Sequence, residues 1–88
     1  MRTFVLYDIT DDRTRTNIAE VCLDFGLLRV QYSAFAGSLS RNKREELFLK
    51  LRDTLGKEEG KILVQPVCQK DVQSVLLHAN EPLPEPEL

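Results

Sequence analysis

The stretch Phe4-Val5-Leu6-Tyr7-Asp8 constrains this chain more than any other part of it. Its β-branched and aromatic residues read as a strand that Asp8 ends. In an extended chain successive side chains point to opposite faces. Phe4 and Leu6 therefore face one way and Val5 and Tyr7 the other, so the strand is apolar on both sides. The run Ile62-Leu63-Val64 has the same property. A sheet with one wet face needs strands that alternate apolar and polar residues. These strands do not alternate, so both faces of their sheet require a cover.

The remaining residues determine what cover the chain carries. Thr10, Asp11 and Asp12 are helix-capping types, and Ile18, Val21, Cys22 and Phe25 then recur at helical spacing up to Gly26, which suits the position just past a helix end. Residues 28–39 are extended, with a bend at Tyr32-Ser33 that splits them into two strands. Ser40 caps a second helix with the stripe Leu47, Phe48, Leu51 and Leu55, ended by Gly56. Residues 61–67 form a strand, with Pro66 limiting its pairing near the end. Residues 71–79 read two ways: a helical turn starting at Asp71-Val72-Gln73, or a strand over 74–78. The order β-α-β-β-α-β predicts an α+β, ferredoxin-like fold, a four-stranded antiparallel sheet with both helices on one face. The other face then needs a second copy of the sheet, which predicts a two-fold homodimer. Residues 1–79 make one domain, and 80–88 an extended Pro/Glu-rich tail.

Twelve Lys and Arg against 14 Asp and Glu leave a net charge of −2, which at face value disfavours bulk binding to nucleic acid. The charge is unevenly placed. Residues 1–44 hold seven basic and five acidic side chains, while the last nine residues hold three Glu, three Pro and no base. No apolar run is long enough to cross a membrane, and Asp8 comes too early for a signal peptide, so a cytoplasmic setting is expected. Cys22 and Cys68 would stay reduced there, and neither has a partner at zinc-ligand spacing. Cys22 lies on the apolar stripe of the first helix and reads as a buried hydrophobe. His78 has no evident partner.

Asp8 is the best candidate for chemistry. Asp11 and Asp12 lie nearer the helix start and can cap it, which leaves Asp8 without a structural task. Facing its copy across a dimer axis, it would meet like charge, which Mg2+ or Mn2+ would relieve. Such an ion can activate water for attack on a phosphodiester. Arg13 and Arg15 at the start of the first helix, Arg29, and Arg41, Lys43 and Arg44 at the start of the second form the other constellation. Bases at helix starts oppose the helix dipole, and arginine beside free backbone N–H groups suits phosphate.

The strand end Leu6-Tyr7-Asp8-Ile9 and the stretch Arg29-Val30-Gln31-Tyr32-Ser33-Ala34-Phe35-Ala36-Gly37-Ser38-Leu39 together resemble the CRISPR-associated protein two family. The resemblance implies a ferredoxin-like homodimer with sheets face to face, and a C-terminal fifth strand added to the partner's sheet, which suits 74–79. It implies that Asp8 is catalytic and the Mg2+ (or Mn2+) ligand. Arg15 and Arg29 match basic positions and Phe35 a family phenylalanine, with Ser33 beside it in shaping the site. Asn17 and Ala36 depart from residues common in the family. The implied activity is metal-dependent endonuclease action on RNA or double-stranded DNA, in CRISPR spacer acquisition. The implied partners are a second copy, nucleic acid and the CRISPR integrase. The alternative role is a non-catalytic dimeric scaffold that bridges the integrase and holds the prespacer duplex. Without the resemblance, the residues also allow a generic RNA-binding sheet, with Phe4, Tyr7 and Tyr32 as candidate stacking groups. Phe4 and Tyr7 lie on opposite faces, which argues against that platform.

Overall fold

A computed structural model of the chain describes residues 1–76 and 78. Arg2–Ile9 forms strand β1, and its burial alternates: Thr3, Val5, Tyr7 and Ile9 are buried, Phe4 is half-buried, and Leu6 and Asp8 are exposed. Then follow α1 (Asp12–Asp24), β2 (Leu28–Gln31), β3 (Ala34–Ser38), α2 (Arg41–Leu55), β4 (Gly60–Val67) and the single turn α3 (Gln69–Val72). The sheet order is β2-β3-β1-β4, and every neighbouring pair is antiparallel. Each long helix thus joins two strands that have a third slotted between them, the split βαβ arrangement of a ferredoxin-like fold.

Local chemistry sets the helix ends where the sequence predicts them. The Asp11 carboxylate accepts hydrogen bonds from the backbone N–H and the hydroxyl of Thr14, both at 2.9 Å. Gly26 follows the α1 cap with φ +83°, and Leu27 N–H donates back to the Cys22 carbonyl at 3.1 Å. The Ser40 hydroxyl accepts from Lys43 N–H at 3.2 Å and opens α2. Ile18, Val21 and Cys22 of α1 and Leu47 and Leu51 of α2 pack on Val5, Tyr7, Ile9 and Phe35 of the sheet. Phe48 departs from the predicted stripe and is 44% exposed. One residue along a helix is about 100° around it, so Leu47 and Leu51 take the core-facing line and Phe48 falls to its border.

The opposite face of the sheet carries neither long helix, although Ala34 and Ala36 on it are buried. Register puts Leu6 across from Leu63 and Ala34, Phe4 across from Gln65 and Ala36, and Ala36 across from Leu28. Leu6, Leu28 and Leu63 remain 43%, 43% and 54% exposed. The helical turn near the C-terminus begins at Gln69, ahead of the predicted Asp71. Ser74 to Leu76 continue as turn and irregular backbone. The strand over 74–79 is expected against a second sheet, and 77, 79 and the 80–88 tail lie outside the described residues.

The seam between α1 and β3 is tight at Gly37. A Cβ there would stand 2.6 Å from Leu27 Cδ2 and 3.3 Å from Leu27 Cα, and Leu27 is only 1% exposed. Gly37→Ala is expected to cost about 1–3 kcal/mol through overpacking, read as a lower urea midpoint with an unchanged slope.

Candidate functional site

Asp8 is the last residue but one of β1 and points onto the face opposite the long helices, directly across from Lys61 of β4. In one chain it is therefore exposed, and its cross-strand neighbour is a lysine. Among the described residues no three His, Cys, Asp or Glu side chains gather in a group able to hold a metal. A single chain offers one carboxylate.

The six basic candidates do not form one surface. α1 starts at the Asp8 end of β1. α2 starts at the other end, where Leu39 N–H donates to the Met1 carbonyl at 3.2 Å. The length of β1, roughly 20 Å, lies between the two. Arg15 has the structural task that sequence reasoning denied it. Its guanidinium donates to the Ile9 carbonyl at 3.0 Å and the Thr10 carbonyl at 3.4 Å, and it pairs with Asp12, tying the strand exit to the helix. Arg13 is exposed beside it, but Thr10, Asp11 and Asp12 share a groove with Glu58 and Glu59, so this corner is of mixed sign. At the far end Arg41 pairs with Glu45 and Lys43 with Glu46, each at 3.4 Å and exposed, where ion pairs add little stability. Arg44 is half-buried and lines a groove with Phe48, Leu49 and Val64.

Arg29 and Phe35 do come together. They are cross-strand partners just before a bulge that shifts the β2–β3 register, and the Arg29 guanidinium sits 5.0 Å from the Phe35 ring centroid. Phe35 is 1% exposed and stacks on Tyr7 at 6.3 Å, so it is a core residue that carries an arginine on its outer side. Ser33 contributes through its backbone, its carbonyl accepting from Tyr7 N–H at 3.1 Å. The Tyr7 hydroxyl is buried with no hydrogen-bond partner, close to Arg29 but outside bonding geometry. Burial raises its pKa, and Arg29 partly opposes the rise. Burial also pushes the Cys22 thiol up to about 12, so Cys22 is no nucleophile.

Tyr32 carries no signal in the sequence beyond its aromatic ring. It occupies the turn after β2, 69% exposed, with the Arg15 guanidinium 5.6 Å from its ring centroid. The three candidate stacking aromatics are dispersed: Phe4 on the face opposite the long helices, Tyr7 in the core, Tyr32 at the turn. They make no shared platform.

The family described as CRISPR associated protein Cas2 matches residues 1–75, from β1 to just beyond α3. The chain belongs to the Cas2 family. It is 46% identical over 86 residues to the CRISPR-associated endoribonuclease Cas2 of Desulforudis audaxviator, covering 97% of this chain and 81% of that one. It is 38% identical over 80 residues to the CRISPR-associated endoribonuclease Cas2 1 of Archaeoglobus fulgidus, covering 91% and 85%. The crystal structure of Streptococcus pyogenes Cas2 shares the fold, with a TM-score of 0.75 at 20% identity over 90% of this chain and 100% of that one. A hypothetical protein from Thermus thermophilus gives 0.76 at 31% identity over 96% of each. Every candidate residue of this Cas2-family chain lies within the matched span, and among its described residues no helix is long and apolar enough to cross a membrane.

The cap at the start of α1 carries a pH signature. Donation from the Thr14 backbone N–H, then from its hydroxyl, holds the Asp11 carboxyl below its ordinary value of 3.8. A depressed carboxyl stabilises the fold fully above that value and loses its effect as pH falls through the folded pKa. The melting temperature of Asp11→Ala is expected to lie below wild type by a constant gap above pH 5, and the gap should narrow as pH drops below about 3.8.

Proposed function

We propose that this Cas2-family chain works as a homodimer that cleaves RNA, with Asp8 of each copy contributing to one Mg2+ or Mn2+ site. One observation carries the reading: Asp8, last but one in β1, lies on the same apolar face on which Leu6 and Leu63 stay exposed. A second copy covering that face about a two-fold axis would bring two strand-end carboxylates toward each other. That the relatives above are named endoribonucleases supports RNA as the substrate.

One chain alone does not make a metal site, but the donor fits as half of one. Mg2+ takes one or two carboxylates and keeps several waters, so two copies of Asp8 are a sufficient protein share. When bound there, the ion would supply an activated water and neutralise charge on the phosphate. The chain's own residues do the rest. On the helix side of the sheet, away from Asp8, Arg15 and Arg29 would hold phosphate oxygens of the bound strand, Phe35 would keep Arg29 in place through its ring face, and Ser33 would fix the turn beside it. The two reduced cysteines suit a cytoplasmic setting.

The scaffold reading, a dimer that bridges the CRISPR integrase and holds a prespacer duplex without hydrolysis, is favoured by a different observation. The basic start of α2 lies at the end of the sheet remote from Asp8, where it can grip a nucleic-acid backbone without touching the metal site.

Asp8→Asn separates the two. With RNA, single-stranded DNA and duplex DNA in Mg2+, the nuclease reading expects RNA cleavage to fall by at least about a hundredfold, the scale of losing a group that acts on the transition state. Unchanged cleavage overturns the catalytic assignment, and full spacer integration by the same variant favours the scaffold. Light scattering should give the wild type twice the 10.1 kDa chain mass, and Leu63→Lys should give a monomer.

A further inference from the structure

Tyr32 has no core to serve, and its turn position ordinarily favours small or turn-forming residues. One region of its ring is taken by the Arg15 guanidinium, yet 69% of the residue stays exposed, so most of the aromatic surface is open. Tyr32 closes a groove of about 300 Å³ between α1 and β2, at the lower end of the range of small-molecule sites. Arg15, Ala19 and Leu23 stand four residues apart on α1 and form one wall, Glu20 lies beside them, and Arg29 and Tyr32 form the other. Two arginines thus line the groove, Arg15 near the start of α1 and Arg29 on β2, with an apolar stretch and one carboxylate along α1.

We propose that this groove holds one unpaired nucleotide of a single strand, with its base stacked on Tyr32 and its phosphate between Arg15 and Arg29. Phosphate suits two arginines that aromatic rings already orient. The base suits an open tyrosine face beside Leu23, and Glu20 can accept from an exocyclic amino group. Bases within a duplex have no free face to offer, so the groove selects single-stranded over duplex nucleic acid. The proposal rests on the reading of this chain as an RNA-handling protein, and it adds the residue and the groove that would take the unpaired base.

The chain contains no tryptophan, so Tyr32→Trp places a single indole in the groove. Binding is measured in EDTA, which keeps cleavage out of the readout. A single-stranded RNA oligonucleotide is expected to quench the indole, and its blunt duplex is not. By fluorescence anisotropy, Tyr32→Ala should weaken single-strand binding by about tenfold, the scale of a lost base–aromatic stack, while Tyr32→Phe retains it. Circular dichroism melts confirm that each variant is folded. Equal quenching by duplex, or unchanged single-strand affinity in Tyr32→Ala, overturns the groove while leaving the nuclease reading intact. A wild-type protein that binds no single strand overturns both.

Discussion

β1 lies between β3 and β4 and carries apolar side chains on both faces, and most of the architecture answers that one demand. Val5, Tyr7 and Ile9 are met by the stripes of α1 and α2. The two long helices are spent on that side, and Leu6, Leu28 and Leu63 stay exposed on the other. At roughly 25 cal/mol per Å2, leaving three leucines half in water forgoes a few kcal/mol, which is large against the marginal stability of a small domain. Asp8 lies within this unmet demand, so the chain's main chemical candidate and its main packing deficit share one surface.

The parts of the fold legible in the sequence are those set by short-range chemistry. Asp11 and Ser40 act as caps because the donors they satisfy lie three residues away. Gly26 reverses the chain because its φ is positive, and the β1 alternation follows from the strand period. Phe48 falls off the core-facing line because a stripe one position too wide looks the same in one dimension until the sheet decides which line faces it.

The site was harder to read, for a definite reason. Arg15 looks unexplained beside a helix start until the Ile9 and Thr10 carbonyls arrive next to it, an effect of how the chain turns out of β1. The two basic helix starts look like one repeated motif until the antiparallel order of β1 and β3 sends them to opposite ends. Glu58 and Glu59 are far in sequence from Asp11 and Asp12 yet share their groove. Residue type identified Asp8 and Arg29 as candidates and the family resemblance added Phe35, but only topology shows that Arg29 and Phe35 touch while Asp8 faces away from the core.

The bulged pairing of β2 with β3 gives this corner a mechanical character of its own. β2 is a four-residue edge strand with three register pairs, interrupted between Arg29 and Gln31, and none of its four residues is fully buried. Local opening is drawn from segments with few buried contacts and little ladder. Its near end is anchored where Leu27 packs into the gap at Gly37. β2 is therefore the most lightly held strand of the sheet, tied at one end by Leu27 and at the other by the backbone bond from Tyr7 to the Ser33 carbonyl, and it forms one wall of the groove beside α1.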